Sequence, residues 1–139
     1  MSPKKILVLC TGNSCRSQMA EAYLQQFAGD RATVYSAGIE AHGLNPRAVK
    51  SMNEDGVDIS AKRSKTIDEF QGQRFDFVIT VCDHAREQCP WIPGAANYLH
   101  RDFPDPAKAQ GTEVQVMSVF RKVREEIKSF SRQFVAEHL

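Results

Sequence analysis

The sequence has no long apolar run, no internal repeat, no low-complexity stretch and no Gly/Ser-rich linker in its 139 residues. Its first apolar stretch, Ile6-Leu7-Val8-Leu9-Cys10, is too short for a secretory signal core and far too short to span a membrane. Neither end carries a lipidation signal. These absences predict a cytoplasmic protein with no membrane partner. An excess of one charge is also missing. Lys+Arg number 18 against 17 Asp+Glu, a net charge of +1, so nothing electrostatic calls for a nucleic-acid partner. The short C-x2-C pairs of structural zinc sites are absent too. The four cysteines fall as Cys10-x4-Cys15 and Cys82-x6-Cys89. In a reducing compartment they read as reactive, metal-binding or buried thiols rather than as a permanent staple.

What is present is an ordinary globular composition, 42% apolar and 25% charged. The chain is long enough for one substantial core and reads as one domain over residues 1–139. Its proline-rich interval, Pro90 to Pro106, interrupts the pattern without a break in composition.

The periodicity predicts alternating strands and helices. Ile6–Cys10 and Phe77–Val81 are short, wholly apolar runs of the kind buried on both faces of a parallel sheet. Thr33–Ala37 and Asn97–His100 are two further strands. Ala20, Tyr23, Leu24 and Phe27 repeat at helical spacing within Ser17–Phe27. Asn45-Pro46 opens a second helix that ends near Asp55, with Gly56 as its stop. Thr66–Phe70 is a weaker helical segment. Val116, Phe120, Val123, Ile127, Phe130 and Phe134 mark one face of a long final helix, with Thr112 and Gln115 as a capping box. The expected fold is α/β, a three-layer sandwich in which helices flank both faces of a four-stranded parallel sheet. Ligands of such sheets sit beyond the carboxyl ends of the strands, which directs attention to the turn after the first strand.

That turn reads Cys10-Thr11-Gly12-Asn13-Ser14-Cys15-Arg16-Ser17. Gly12 and Asn13 tolerate positive φ, so the loop can curl and aim successive N–H groups inward. The helix opening near Ser17 adds its unpaired N–H groups and the positive end of its dipole. Arg16 supplies a planar fork that matches a tetrahedral oxyanion. The same field favours a thiolate at Cys10, since such sites bring a cysteine pKa down to roughly 3.5–7.5. Ser14 or Ser17 is placed to donate a hydrogen bond to that sulfur. The predicted oxyanion cradle is thus Thr11, Gly12, Asn13, Ser14, Cys15, Arg16 and Ser17, with Cys10 as nucleophile. Cys15, inside the loop, reads as a packed thiol. For a general acid, Asp83, Asp102 and Asp105 are all open to this reading of the residues.

The run Cys10–Glu21 closely resembles the thioredoxin-coupled arsenate reductases, which share their fold and anion loop with the low-molecular-weight protein tyrosine phosphatases. The resemblance continues through Tyr35-Ser36-Ala37-Gly38, Asn45-Pro46, Val81-Cys82, Cys89-Pro90 and Asp105-Pro106-Ala107, and covers nearly the whole chain. It implies a low-molecular-weight phosphatase-like fold and Asp105 as the acid that protonates the leaving oxygen. It also implies a relay. Cys10 attacks arsenate, Cys82 forms a disulfide with Cys10 as arsenite leaves, and Cys89 takes over Cys82 to free Cys10. Thioredoxin reduces the last bond. Arsenate is then the substrate, phosphate or sulfate a competing oxyanion, and no cofactor is needed by a monomeric enzyme. The alternative is a phosphatase working through a Cys10 phosphoenzyme. Such phosphatases usually carry an aromatic pair after Asp-Pro, and this chain has Ala107-Lys108, which leaves no platform for an aryl substrate.

Cys82 and Cys89 are seven positions apart. If the intervening residues were helical, their Cα atoms would stand about 10 Å apart, too far for a disulfide. The polar segment Asp83–Gln88 is therefore predicted to open on oxidation. A zinc site of Cys82, His84, Cys89 and His100 is the competing reading. Some reductases of the resembled family bind potassium beside the anion loop. Asn13, Glu21 and Ser36 match that set, but Lys65 stands where an acid is expected, so no metal is predicted. Lys65 is instead expected to serve Glu21 as a built-in cation. His42, His84, His100 and His138 have no assigned partner, and Trp91 reads as packing.

Overall fold

The computed structural model describes residues 2–82 and 92–139. Strand β1 (Lys4–Cys10) leads into helix α1 (Arg16–Ala28), followed by β2 (Ala32–Gly38) and α2 (Pro46–Glu54). Strands β3 (Phe77–Thr80) and β4 (Asn97–His100) come next, and α3 (Glu113–His138) closes the chain. The weak helical segment near Thr66 is a single 3-10 turn, Ile67–Phe70, and another covers Pro106–Lys108. The four strands form one parallel sheet in the order β2-β1-β3-β4, as the sequence predicts. No helix among the described residues is long and apolar enough to cross a membrane.

The sheet is buried on both faces, which explains the unbroken apolar run of β1. Successive side chains of a strand point to opposite faces. Ile6 and Val8 enter the larger core with Met19 and Tyr23 of α1, Met52 of α2, and Phe120, Val123 and Ile127 of α3. Leu7 and Leu9 enter a smaller layer with Ala37, Phe70, Phe75 and Val78. Among the described residues the helical cover of that layer is the Ile67–Phe70 turn, and the Tyr35, Phe70 and Phe75 rings meet edge to face at 5.5–6.0 Å. β4 is an edge strand, and three of its four residues are exposed.

Local signals set the helix ends. Asn45 Oδ1 accepts from the Arg47 and Ala48 amides, and Pro46 takes the first helical position of α2. Thr112 and Gln115 form the reciprocal capping box of α3. Tyr23 Oη and Lys128 Nζ both donate to Asp55 Oδ2, at 2.7 and 2.9 Å, so one carboxylate at the end of α2 binds α1 and α3 together.

The order β2-β1-β3-β4 makes the carboxyl end of β1 a switch point, with the chain departing to β2 on one side and β3 lying on the other. Gly38 closes β2 directly beside the loop that follows β1. A Cβ there would stand 2.6–2.8 Å from Thr11 O, Glu40 O and Asn13 N. All three are backbone atoms, so no side-chain movement relieves the clash.

Gly38→Ala is accordingly expected to cost about 1–3 kcal/mol by the overpacking mechanism, read as a lower midpoint in urea unfolding. Asp55 is held below the ordinary aspartate range by its hydrogen bond from Lys128 and then by that from Tyr23. This contribution is present above the unfolded aspartate value and is lost as pH falls through the lowered one. Asp55→Asn should therefore lower Tm by a few degrees at pH 7. Its deficit against the wild type should shrink as pH falls below the ordinary aspartate value of about 3.9 in a melting series.

Candidate active site

The loop after β1 is shaped from outside by its carbonyls. Thr11 O accepts from the Glu40 amide at 3.0 Å, Gly12 O from the His42 amide at 3.0 Å, and Ser14 O from the Asn45 amide at 2.9 Å. Ser64 Oγ adds a second bond to Gly12 O, Gln18 Nε2 reaches Asn13 O, and the Met19 amide reaches Cys15 O. Five consecutive carbonyls, residues 11–15, are therefore bonded to surrounding structure. A trans peptide sets N–H opposite C=O, so the amides of residues 12–16 turn to the concave side. Two straps do most of this holding. One is the chain from Gly38 to Asn45, and the other runs from Lys62 to Thr66, where Gly38 also bridges Thr66.

Asn13 is the hub of the loop. It is wholly buried and has φ of +48°, the one non-glycine residue with positive φ among those described. Its Nδ2 donates to Ser17 Oγ at 2.8 Å and to Ser36 Oγ at 2.9 Å. Its Oδ1 accepts from the Lys65 amide at 2.8 Å and from Gln18 Nε2 at 3.0 Å. Ser17 Oγ accepts from Asn13, which leaves the Ser17 hydroxyl proton as a donor.

The concave side is a cavity of about 330 Å³, at the lower end for small-molecule sites. Every predicted member of the cradle from Cys10 to Arg16 lines it, together with His42, Asp105, Ala107 and Lys108. Ser17 does not line it and lies beneath, at the start of α1. Arg16 is 4% exposed. Its Nη1 donates to Phe103 O at 3.2 Å, and its Nη2 lies 3.6 Å from Asp105 Oδ2. The other oxygen of Asp105 caps the Pro106–Lys108 turn through the Ala107 amide at 3.0 Å. Of the three aspartates left open by the sequence, Asp105 is the one found in the cavity wall. Asp102 bonds His100 Nε2 and is not among the lining residues, and Asp83 lies outside the described residues.

Cys10 and Cys15 are reduced thiols. Burial, and then the Asp105 carboxylate, push the Cys15 thiol well above the ordinary cysteine range, which disfavours the reactive thiolate. Cys82 is buried at the end of β3 and is disulfide-bonded. Leu9 pairs with Thr80, and the Val81 amide donates to Leu9 O at 3.0 Å. Cys10 and Cys82 thus leave the same end of two adjacent strands. Cys89, His84 and Trp91 lie outside the described residues. His100, counted in the zinc reading, is engaged by Thr80 Oγ1 and Asp102.

Two residues were not anticipated at this site. The His42 ring lies against Gly12 at the cavity rim, where a Cβ on Gly12 would meet it at 2.3 Å, and its Nε2 pairs with Glu40. A lone histidine in a polar loop carries no signal of this in the sequence. The second is Lys62. The expectation that Lys65 would serve Glu21 is corrected here. Lys62 Nζ is the group bonded to Glu21 Oε2, while Lys65 Nζ donates to Arg63 O at 2.7 Å. Lys65 feels Glu21 only through space, and burial lowers its pKa from the ordinary lysine value. Two residues separate the two lysines, and spacing alone does not tell which reaches inward.

An amide-lined cradle with an arginine at one wall and a thiol at its base, set at the carboxyl end of a parallel sheet, defines an oxyanion-binding thiol protein. The chain belongs to the low molecular weight phosphotyrosine protein phosphatase family, whose model matches residues 5–139. A curated relative named arsenate reductase, from Halalkalibacterium halodurans, is 54% identical over 127 residues, 91% of each chain. A solved structure described as an arsenate reductase in the phosphate binding state superposes with a TM-score of 0.80 at 30% identity. It covers 96% of this chain and 98% of that one. The thioredoxin-dependent arsenate reductase of Corynebacterium glutamicum matches with a TM-score of 0.65 at 25% identity, over 98% of this chain and 64% of that one.

The position of Cys15 gives a direct check. In the folded, reduced protein at pH 8, iodoacetamide should label Cys10 and leave Cys15 unmodified, with Cys15 reacting only after unfolding. Peptide mass mapping reads both sites.

Proposed function

We propose that this protein reduces arsenate to arsenite, with Cys10 as nucleophile and the Cys82/Cys89 pair as the electron source. The observation that carries this reading is the redox asymmetry of the cysteines. Cys82, just past the end of the strand next to β1, is in a disulfide, while Cys10 remains a reduced thiol. A phosphate-ester hydrolase has no use for a second redox-active sulfur at that place. The naming of relatives at about half identity supports the same substrate.

The proposed course balances as follows. The oxyanion enters the amide cradle and is held by the Arg16 guanidinium. The Cys10 thiolate attacks arsenic(V), and Asp105 protonates the departing oxygen, which leaves as water. Cys82 then attacks the Cys10 sulfur. The new S–S bond forms as the S–As bond breaks, and its electron pair stays on arsenic, which leaves as arsenite. This exchange needs the two Cα atoms within roughly 4.4–6.8 Å. The register supports it, since one strand spacing and one residue of rise give a separation of about 6 Å. Cys89 attacks Cys82 next and restores the Cys10 thiolate. The resulting Cys82–Cys89 disulfide corresponds to a chain in which Cys82 is oxidised and Cys10 is not.

Thioredoxin is the proposed reductant of that last bond, in keeping with the thioredoxin-dependent structural relative. Phosphate is expected to compete, since its shape and charge match those of arsenate. The cytoplasm, where a thioredoxin system operates, is the proposed location. The cavity wall at Ala107 and Lys108 offers no aromatic platform, which favours a small inorganic oxyanion over an aryl phosphate.

The test is NADPH consumption by reduced protein with arsenate, thioredoxin and thioredoxin reductase. Wild type should turn over. Cys10→Ser, Cys82→Ser and Cys89→Ser should not, and Asp105→Asn should lose about 10²–10⁴-fold in kcat. Turnover surviving in Cys89→Ser would replace the three-thiol relay by a shorter one completed by an external thiol. Failure with thioredoxin but turnover with glutathione and glutaredoxin would change the reductant. Aryl phosphate hydrolysis without any arsenate-dependent oxidation would assign the cradle to a phosphatase.

A further inference from the structure

A buried relay of polar groups leads away from the anion loop and ends on a charge. Ser36 Oγ donates to Glu21 Oε1 at 2.9 Å and accepts from Asn13 Nδ2 at 2.9 Å. Asn13 in turn binds Ser17. Asn13 and Ser36 are wholly buried, and Glu21 is 7% exposed. A carboxylate this enclosed requires a compensating positive charge. Lys62 Nζ supplies it by donating to Glu21 Oε2, from a side chain that is itself 30% exposed.

Each oxygen of Glu21 is thus taken, one by a hydroxyl and one by an ammonium. These three residues, Asn13, Glu21 and Ser36, are the ones that match a potassium set by resemblance. They do not fit an added metal here. The carboxylate is already neutralised by Lys62, and the Lys65 ammonium nearby adds like-charge repulsion. Lys62 is also well braced for this task. Its amide bonds Ile59 O at 3.0 Å, and Ile59 is wholly buried. Just beyond it, Ser64 and Lys65 bind Gly12 and Asn13 of the anion loop.

We infer that the Lys62 ammonium is the resident cation of this site, and that Lys62 is a positioning residue which holds the anion loop through Glu21, Ser36 and Asn13. The chain has no place for potassium at Glu21. The directional sense of the relay matters. Because Ser36 gives its proton to Glu21, it must accept from Asn13, and Asn13 must then present its remaining Nδ2 proton to Ser17. The ammonium holds the Glu21 carboxylate in place, so the orientation of the Asn13 amide and of the Ser17 hydroxyl depends on it.

This inference rests on the anion loop being the reactive site but not on arsenate being its substrate, so its test avoids turnover. Two quantities are measured on the reduced protein. One is Tm in potassium, sodium and choline chloride at equal ionic strength. The other is the rate of Cys10 carboxamidomethylation at pH 7, read by peptide mass. Wild type should melt at one temperature in all three salts. Lys62→Met should lower Tm by about 5 °C or more and slow Cys10 labelling at least about threefold. Lys62→Arg, which keeps the charge, should retain most of the wild-type rate. A Glu21→Gln/Lys62→Met double variant removes both charges and should melt above Lys62→Met, so an unstable single variant still leaves a reading. Potassium-specific stabilisation of the wild type would overturn the inference. So would a wild-type labelling rate in Lys62→Met, or a loss that follows Lys65→Met instead.

Discussion

Five carbonyls, from Thr11 to Cys15, have to face outward before this loop can hold an anion. Peptide planarity makes that condition sufficient to turn the N–H groups of residues 12–16 inward, and no residue of the loop can impose it alone. The bonds come from Glu40, His42 and Asn45 on one strap, from Ser64 on the other, and from Gln18 and Met19 of α1. Much else in the molecule follows from this requirement. Gly38 has no room for a side chain because β2 must end against Thr11 and Asn13. Gly12 lacks one because the His42 ring lies over it. Asn45 serves twice, with its amide on Ser14 O and its side chain capping α2.

The same site shows how burial forces charge balance. Arg16 and Glu21 are opposite charges at opposite ends of the first half of α1, both almost fully buried. Each has its own partner, Asp105 for Arg16 and Lys62 for Glu21. Removing one member of such a pair leaves an uncompensated charge in a poorly polarisable interior, which is far costlier than never having had either. Arg16 lines the cavity, where the proposed reaction has it trade Asp105 for an incoming oxyanion. Glu21 does not line that cavity, so no anion entering there competes for its cation. One pair is built to be exchanged and the other to stay.

The parallel sheet adds the redox geometry. In an antiparallel pair the ends of neighbouring strands point in opposite directions, whereas here β1 and β3 deliver Cys10 and Cys82 to the same edge. The Cys10–Cys82 disulfide of the proposed relay then needs little backbone movement. Under the proposed relay this is an economical way for a phosphatase-like cradle to acquire two-electron chemistry, because the fold already brings the two strand ends together.

The residues of Ile6–Cys10 determined a doubly buried strand, and the spacing from Val116 to Phe134 determined a long amphipathic helix, because apolar periodicity is a local property. The caps at Asn45 and Thr112 were legible for the same reason. So was the loop, since a cysteine, a Gly-Asn pair and an arginine between a strand and a helix act within eight residues of one another. That Asp105 lies in the cavity wall while Asp102 lies against His100 was decided by the tertiary structure. Lys62 rather than Lys65 on Glu21, and His42 over Gly12, were decided there too. These pairs are separated by 41 and 30 positions along the chain. Whether such side chains meet depends on how loops pack against a finished sheet, and that is a property of the whole fold, which no local pattern encodes.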